Sequence, residues 1–245
     1  MSSKEVNLLA FSLQQFFYKL KAYTGLINRL IITQLLALLF SLPGGIGMIS
    51  SSNGEITVSV RHYSASMVIV FSLFWIATVA ILLTTKQYKK MDMPLVANRL
   101  SGNLSDVGFL LTACVFAGVT SSLVGVLFRV IMYFTFDRSM IVFNEFFLTP
   151  SDLILSMVVT ILYMALISAL GYFMGMLSQV SMAFVITIPV VIFGVLRVYT
   201  EFVQSVIKFY VGEVSLPLFA FKILITSIVL FGISIVLSDR MEVRQ

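Results

Sequence analysis

The sequence predicts an all-α membrane protein: six transmembrane helices preceded by an N-terminal amphipathic helix at the membrane interface. Three observations carry that prediction. Of 245 residues, 59% are hydrophobic and 11% charged, against roughly 25% charged in soluble domains, so lipid must solvate much of the chain. Six apolar runs, at residues 30–49, 65–84, 108–127, 153–177, 182–196 and 218–237, approach the roughly 20 residues that a helix needs to cross about 30 Å of hydrocarbon. Finally, Lys and Arg distribute as positive-inside topology requires. With the N-terminus cytoplasmic, Lys4, Lys19, Lys21, Arg29, Lys86, Lys89, Lys90, Arg99, Arg240 and Arg244 lie inside, and Arg61, Arg129, Arg138, Arg197, Lys208 and Lys222 outside. Both termini are then cytoplasmic, and the plasma membrane is the expected location.

The net charge of +5 is explained by that topology. The basic residues form no stripe on a soluble face, so nucleic acid is excluded as a partner. Cys114, the single cysteine, can form no intrachain disulfide.

The first 24 residues read as the interfacial helix. Ser2 and Glu5 have capping-box spacing. Val6, Leu9, Leu13, Phe16, Phe17 and Leu20 recur at intervals of three and four, with Lys4, Gln14 and Lys19 turned away. The first apolar run is longer than a signal-peptide core and follows this leader, so no cleaved signal is expected. Residues 50–64 read as a short external loop holding the turn-forming "SSNG" and the sole histidine, His62.

The second run leads into "KQYKKMDMPLVANRLSGNLSD", residues 86–106. Asp92 and Pro94 suit a helix start, and Gly102 and Asn103 a left-handed exit, so a short helix is expected at 94–101. Leu95, Asn98 and Arg99 share its outer face, beside the inner-surface lysines Lys89 and Lys90. A leucine on that polar side suits docking better than solvation.

In the third run Ala113, Ala117, Ser121 and Gly125 form a row of small residues, and the fourth has Gly171 and Gly175 in the same relation. Such rows let helix backbones approach closely in lipid, within one subunit or between two. The fifth run contains Pro189 and Gly194 and is expected to bend. Residues 201–216 are too polar to span and too patterned for a plain loop, so they read as an external amphipathic segment. Arg129, Arg197 and Lys222 sit near the outer ends of spans. Two readings apply: snorkelling to the phosphate level, or an outer vestibule that attracts anionic or zwitterionic cargo.

Catalytic chemistry is missing. The chain has no HExxH, no G-x-S-x-G, no paired acids within the apolar runs and no P-loop. It is therefore not expected to be an enzyme, to hold a metal, or to bind a cofactor of its own.

The whole pattern resembles the ABC-2-type permeases, the membrane subunits of one class (type V) of ATP-binding-cassette exporters. The resemblance rests on "KKMDMPLVANRLSGNLSDVGF" and on the order of interfacial helix, six spans, helix-bearing loop at 85–106 and amphipathic segment at 201–216. It implies that residues 1–245 form one permease domain, paired with a second copy or a paralogue. It also implies two separate ATPase subunits, which would hold the ATP and Mg. Pro94, Leu95, Asn98, Arg99, Lys89 and Lys90 would couple to that ATPase. Spans two and five would line the path, offering Ser72, Phe74, Trp75, Thr78, Thr187 and Phe193 to a hydrophobic peptide, drug or lipid. Core packing is the other reading of those six residues. A non-transporting immunity or scaffold protein, and a lipid-modifying intramembrane enzyme, are the competing functions.

Overall fold

The computed structural model describes residues 8–44, 46–53, 56–63, 65–92, 99–135, 149–181, 183–213 and 215–242. Among them the order is α1 (Leu8–Ala22), α2 (Thr24–Gly44), β1 (Ile46–Asn53), β2 (Ile56–Tyr63), α3 (Ser66–Thr84), α4 (Lys86–Asp92), α5 (Arg99–Thr135), α6 (Pro150–Val180), α7 (Ala183–Val198), α8 (Thr200–Val211) and α9 (Leu216–Glu242). The chain is thus almost entirely helical. Five helices are long and apolar enough to cross a membrane, with spans at Thr24–Leu42, Ser66–Thr84, Leu100–Thr135, Pro150–Val180 and Leu216–Ser238. The fifth expected span corresponds to α7, which has 16 residues with Pro189 inside. At 1.5 Å per residue it covers about 24 Å, less than a 30 Å hydrocarbon layer.

Three expected boundaries move. The first span ends at Leu42 instead of 49, because "PGG" at 43–45 breaks the apolar run. The residues beyond it enter a hairpin where the sequence suggested an irregular loop. There β1 and β2 pair antiparallel from Ile46 with Tyr63 to Asn53 with Ile56.

The third boundary concerns Gly102 and Asn103. Instead of ending a helix they lie in the first turns of α5, which runs unbroken for 37 residues. A glycine costs about 1 kcal/mol within a helix, and tertiary bonds to both residues, described below, offset that propensity. The first part of the expected 94–101 helix, and the Ser2/Glu5 cap, lie outside the described residues.

The described residues fall into two compact units. One contains Gly25–Trp75 and Val115–Ile161. Its core is Ala37, Leu38, Val68, Phe128 and Met132, with Phe71 and Val124 packed against it. A polar knot sits beside that core. Buried Gln34 donates from Nε2 to Ser72 Oγ at 3.2 Å and Thr120 Oγ1 at 3.0 Å, and Ser72 donates to the Val68 carbonyl at 2.8 Å. Amide bonds of this kind join helices where packing alone drives association.

The other unit contains the described residues up to Thr24, then Ile76–Cys114, and those from Leu162 onward. Here α6 lies tightly on α3. A Cβ on Gly171 would stand 2.9 Å from the Ala77 carbonyl oxygen, and one on Gly175 would strike the Thr84 side chain. Ile76, Leu83, Phe109, Leu110, Met164 and Met176 are fully buried around that contact.

Candidate functional site

The first helix carries a polar stripe. Ser12, Gln15, Lys19 and Tyr23 recur at intervals of three and four and all are buried, whereas Leu13 and Phe17 are 56% and 60% exposed. A soluble helix buries its apolar face. The inverse arrangement suits a helix at a lipid boundary, with polar groups against protein and apolar groups outward. Lys19, expected on the side of the helix away from its apolar face, is buried in the protein.

Its partner comes from the start of α5. Asp106 is the eighth residue of that helix, about 10 Å along it at 1.5 Å per residue. The Lys19 and Asp106 side chains form an ion pair and are 2% and 3% exposed. Lys19 Nζ also donates to the Gly102 carbonyl at 3.3 Å. From α6, the buried Tyr172 hydroxyl lies 3.2 Å from Asn103 Oδ1 and 3.4 Å from Asp106 Oδ2. Two acceptors therefore face one hydroxyl proton, which can serve only one at a time.

The cluster has a polar periphery. Ser101, Asn103 and Ser105 are all buried, and Asn103 Nδ2, Ser105 Oγ and Gln15 Oε1 have no hydrogen-bond partner among the described residues. Aromatic contacts flank it. Tyr23 meets Tyr88 of α4 at 5.4 Å and Phe109 of α5 at 5.6 Å, both edge-on. Phe16 fits against Gly108, where an added Cβ would stand 3.2 Å from its ring. One polar joint thus ties α1, α5 and α6 within this unit.

A buried ion pair is weak evidence of stability, since desolvating two charges offsets their attraction. In a chain built of membrane-spanning helices, a buried ionisable residue is instead a marker of function. The sequence contained the signal in "SGNLSDVGF": one acid immediately before an apolar run, with Lys19 and Lys21 on the leader helix. Reading Gly102 and Asn103 as a helix exit put Asp106 outside the helix and hid the pairing.

The coupling residues inferred from the sequence are placed as follows. Pro94, Leu95 and Asn98 lie outside the described residues. Arg99 opens α5 and Lys90 lies in α4. Lys89 is half-buried, with Nζ 3.7 Å from Met176 Sδ.

The path candidates diverge. Ser72 is buried and committed to the Gln34 knot. Phe74 is 71% exposed, but its neighbour Trp75 is buried, its Nε1 lacking an acceptor among the described residues. Thr78 and Thr187 are exposed, and Phe193 belongs to α7. Among the small residues, Ala113, Ala117 and Ser121 are buried and Gly125 is half-buried.

Of the vestibule candidates, Arg197 is exposed and Arg129 half-buried. Lys222 is ion-paired with Glu213 and lies 4.2 Å from the centre of the Phe209 ring of α8. That helix buries none of its residues. It is fastened by Tyr210, whose carbonyl accepts from Tyr163 at 3.2 Å and whose hydroxyl meets Thr226 at 3.1 Å. Among the described residues no three His, Cys, Asp or Glu side chains gather as a metal site would require.

Comparison with models of known protein families, with curated proteins and with solved structures gives no match. The fold and the site thus define the class, a multi-pass helical membrane protein with a buried polar joint at one end of its spans.

Proposed function

We propose that this chain is the permease subunit of an ATP-driven exporter of hydrophobic or amphipathic cargo, set in motion by ATPase subunits on the cytoplasmic side. The observation that carries the reading is the buried joint of Lys19, Asp106 and Tyr172. A force applied to the leader helix would pass through this joint to the start of one span, α5, and to the later turns of another, α6. Rigid elements with two discrete arrangements are what couple distant sites.

In this reading α1 lies on the inner membrane surface through Leu13 and Phe17, α7 completes six crossings, and two permeases pair, as identical copies or as paralogues. Leu95, Asn98 and Arg99 form the contact for the ATPase. Both termini are cytoplasmic and the cargo path lies within the plasma membrane. In this reading ATP and Mg are held by the partner ATPase.

The test is co-purification from native membranes. Leu95→Ala with Arg99→Ala should remove a P-loop ATPase from the purified complex, and Asn53→Ala, in the hairpin, should leave it bound. An isolated chain that recruits no ATPase, with export unaffected by the Leu95 and Arg99 changes, defeats the reading.

A further inference from the structure

The orphaned amide at Asn103 suggests a second arrangement of the joint. Asn103 and Asp106 lie one helical turn apart on α5, so their side chains are neighbours, and both face the Tyr172 hydroxyl. Asp106 is held by Lys19 from α1. Asn103 Nδ2 is buried with no partner among the described residues, a state that is costly unless the group is used. Were Lys19 to leave, Asp106 Oδ1 would give up a charged donor, and an amide with unspent N–H groups already stands beside it.

We propose that Lys19–Asp106 is a releasable latch on α1, with Asn103 as the alternative donor that holds Asp106 when the latch is open. In the closed arrangement Lys19 bonds Asp106 Oδ1 and the Gly102 carbonyl. In the open one Asn103 turns its amide to Asp106, the Tyr172 proton serves Asp106 Oδ2, and Lys19 leaves with α1 toward the inner headgroup level, where anionic lipid phosphates receive an ammonium. No proton or electron is transferred. The charged and polar side chains taking part are Lys19 of α1, Asn103 and Asp106 of α5 and Tyr172 of α6. The stripe of Ser12, Gln15 and Tyr23, buried in the closed form, becomes accessible.

The latch deepens the proposed function by naming what moves, and its test needs no ATPase. The purified full-length chain, with Cys114→Ala and Ser12→Cys, is reconstituted in vesicles of anionic and zwitterionic lipid, and labelling by a thiol reagent is timed. Asp106→Asn should speed labelling by at least about tenfold, the change that about 1.4 kcal/mol produces in an equilibrium. Exchanging the charges, Lys19→Asp with Asp106→Lys, should return it toward the parent rate. Asn103→Leu, which keeps the ion pair and removes the alternative donor, should slow it below the parent.

Equal labelling of the Asp106→Asn and parent proteins overturns the latch, as does an unchanged rate for Asn103→Leu. Should Asp106→Asn not fold, the Asn103→Leu arm decides alone. A working latch in a chain that never binds an ATPase would refute the transport reading and leave this inference standing.

Discussion

Asp106→Asn is the sharpest perturbation of the joint, because asparagine matches aspartate in shape and opens no cavity. Only charge is removed. Lys19 Nζ would face a neutral amide and the Gly102 carbonyl at 3.3 Å in place of a carboxylate, leaving the ammonium without that counter-charge in a site where its side chain is 2% exposed. Breaking a buried pair from one side costs about 3–5 kcal/mol. At about 2–4 °C per kcal/mol for a chain of this size, the unfolding midpoint should fall by roughly 6–20 °C. Lys19→Met alone should also destabilise, since it removes the cation that pairs with Asp106. The double variant Lys19→Met with Asp106→Asn should lose less than the two single losses summed, because neither charge is then left facing a removed partner. A thermal-unfolding series on the four proteins in one detergent measures the cycle. The reasoning is refuted if the two single losses simply add in the double variant, since independent residues behave that way and a coupled pair does not.

Further consequences follow from the packing. Gly175→Ala should cost about 1–3 kcal/mol through collision with Thr84, while Gly232→Ala, inside α9 where a Cβ meets nothing within 4 Å, should not destabilise and should gain up to about 1 kcal/mol of helix propensity; midpoints in matched detergent separate them. Gln34→Leu should cost about 0.6–2 kcal/mol, the range of interhelical hydrogen bonds in membranes, because Ser72 keeps its bond to the Val68 carbonyl. Lys222→Gln removes both the Glu213 pair and the Phe209 contact. It should loosen α8 by about 1 kcal/mol, read as faster amide exchange in Thr200–Val211 with exchange in α5 unchanged; equal protection in α8 would contradict the fastening.

The spans were legible because hydrocarbon imposes length and composition together, and α2, α3, α5, α6 and α9 satisfy both. Their ends were less so. Arg99–Asp106 contains Gly102 and Asn103, whose local preferences favour a helix stop; a lysine 87 residues earlier in the chain and Tyr172 reverse that outcome, and no local window contains them. The same limit hid the inverted face of α1, since the sequence gives periodicity but not which face protein covers. Ile46–Tyr63 was hard to read for another reason: its β-branched residues follow an apolar helix directly, so the run looked continuous across "PGG". Lys222 looked like a free outer cation until Glu213, nine residues away, closed on it.

The proposal that this chain is moved by a partner's ATP hydrolysis is tested most directly by reconstituting it with a P-loop ATPase captured by co-purification from native membranes and measuring ATP turnover and cargo release from the same vesicles. The account predicts that Asp106→Asn, in vesicles where the ATPase remains bound, lowers cargo release per ATP by about tenfold or more, the effect of losing roughly 1.4 kcal/mol of coupling, while ATP turnover continues. Cargo release that proceeds at the parent rate without any ATPase would contradict it.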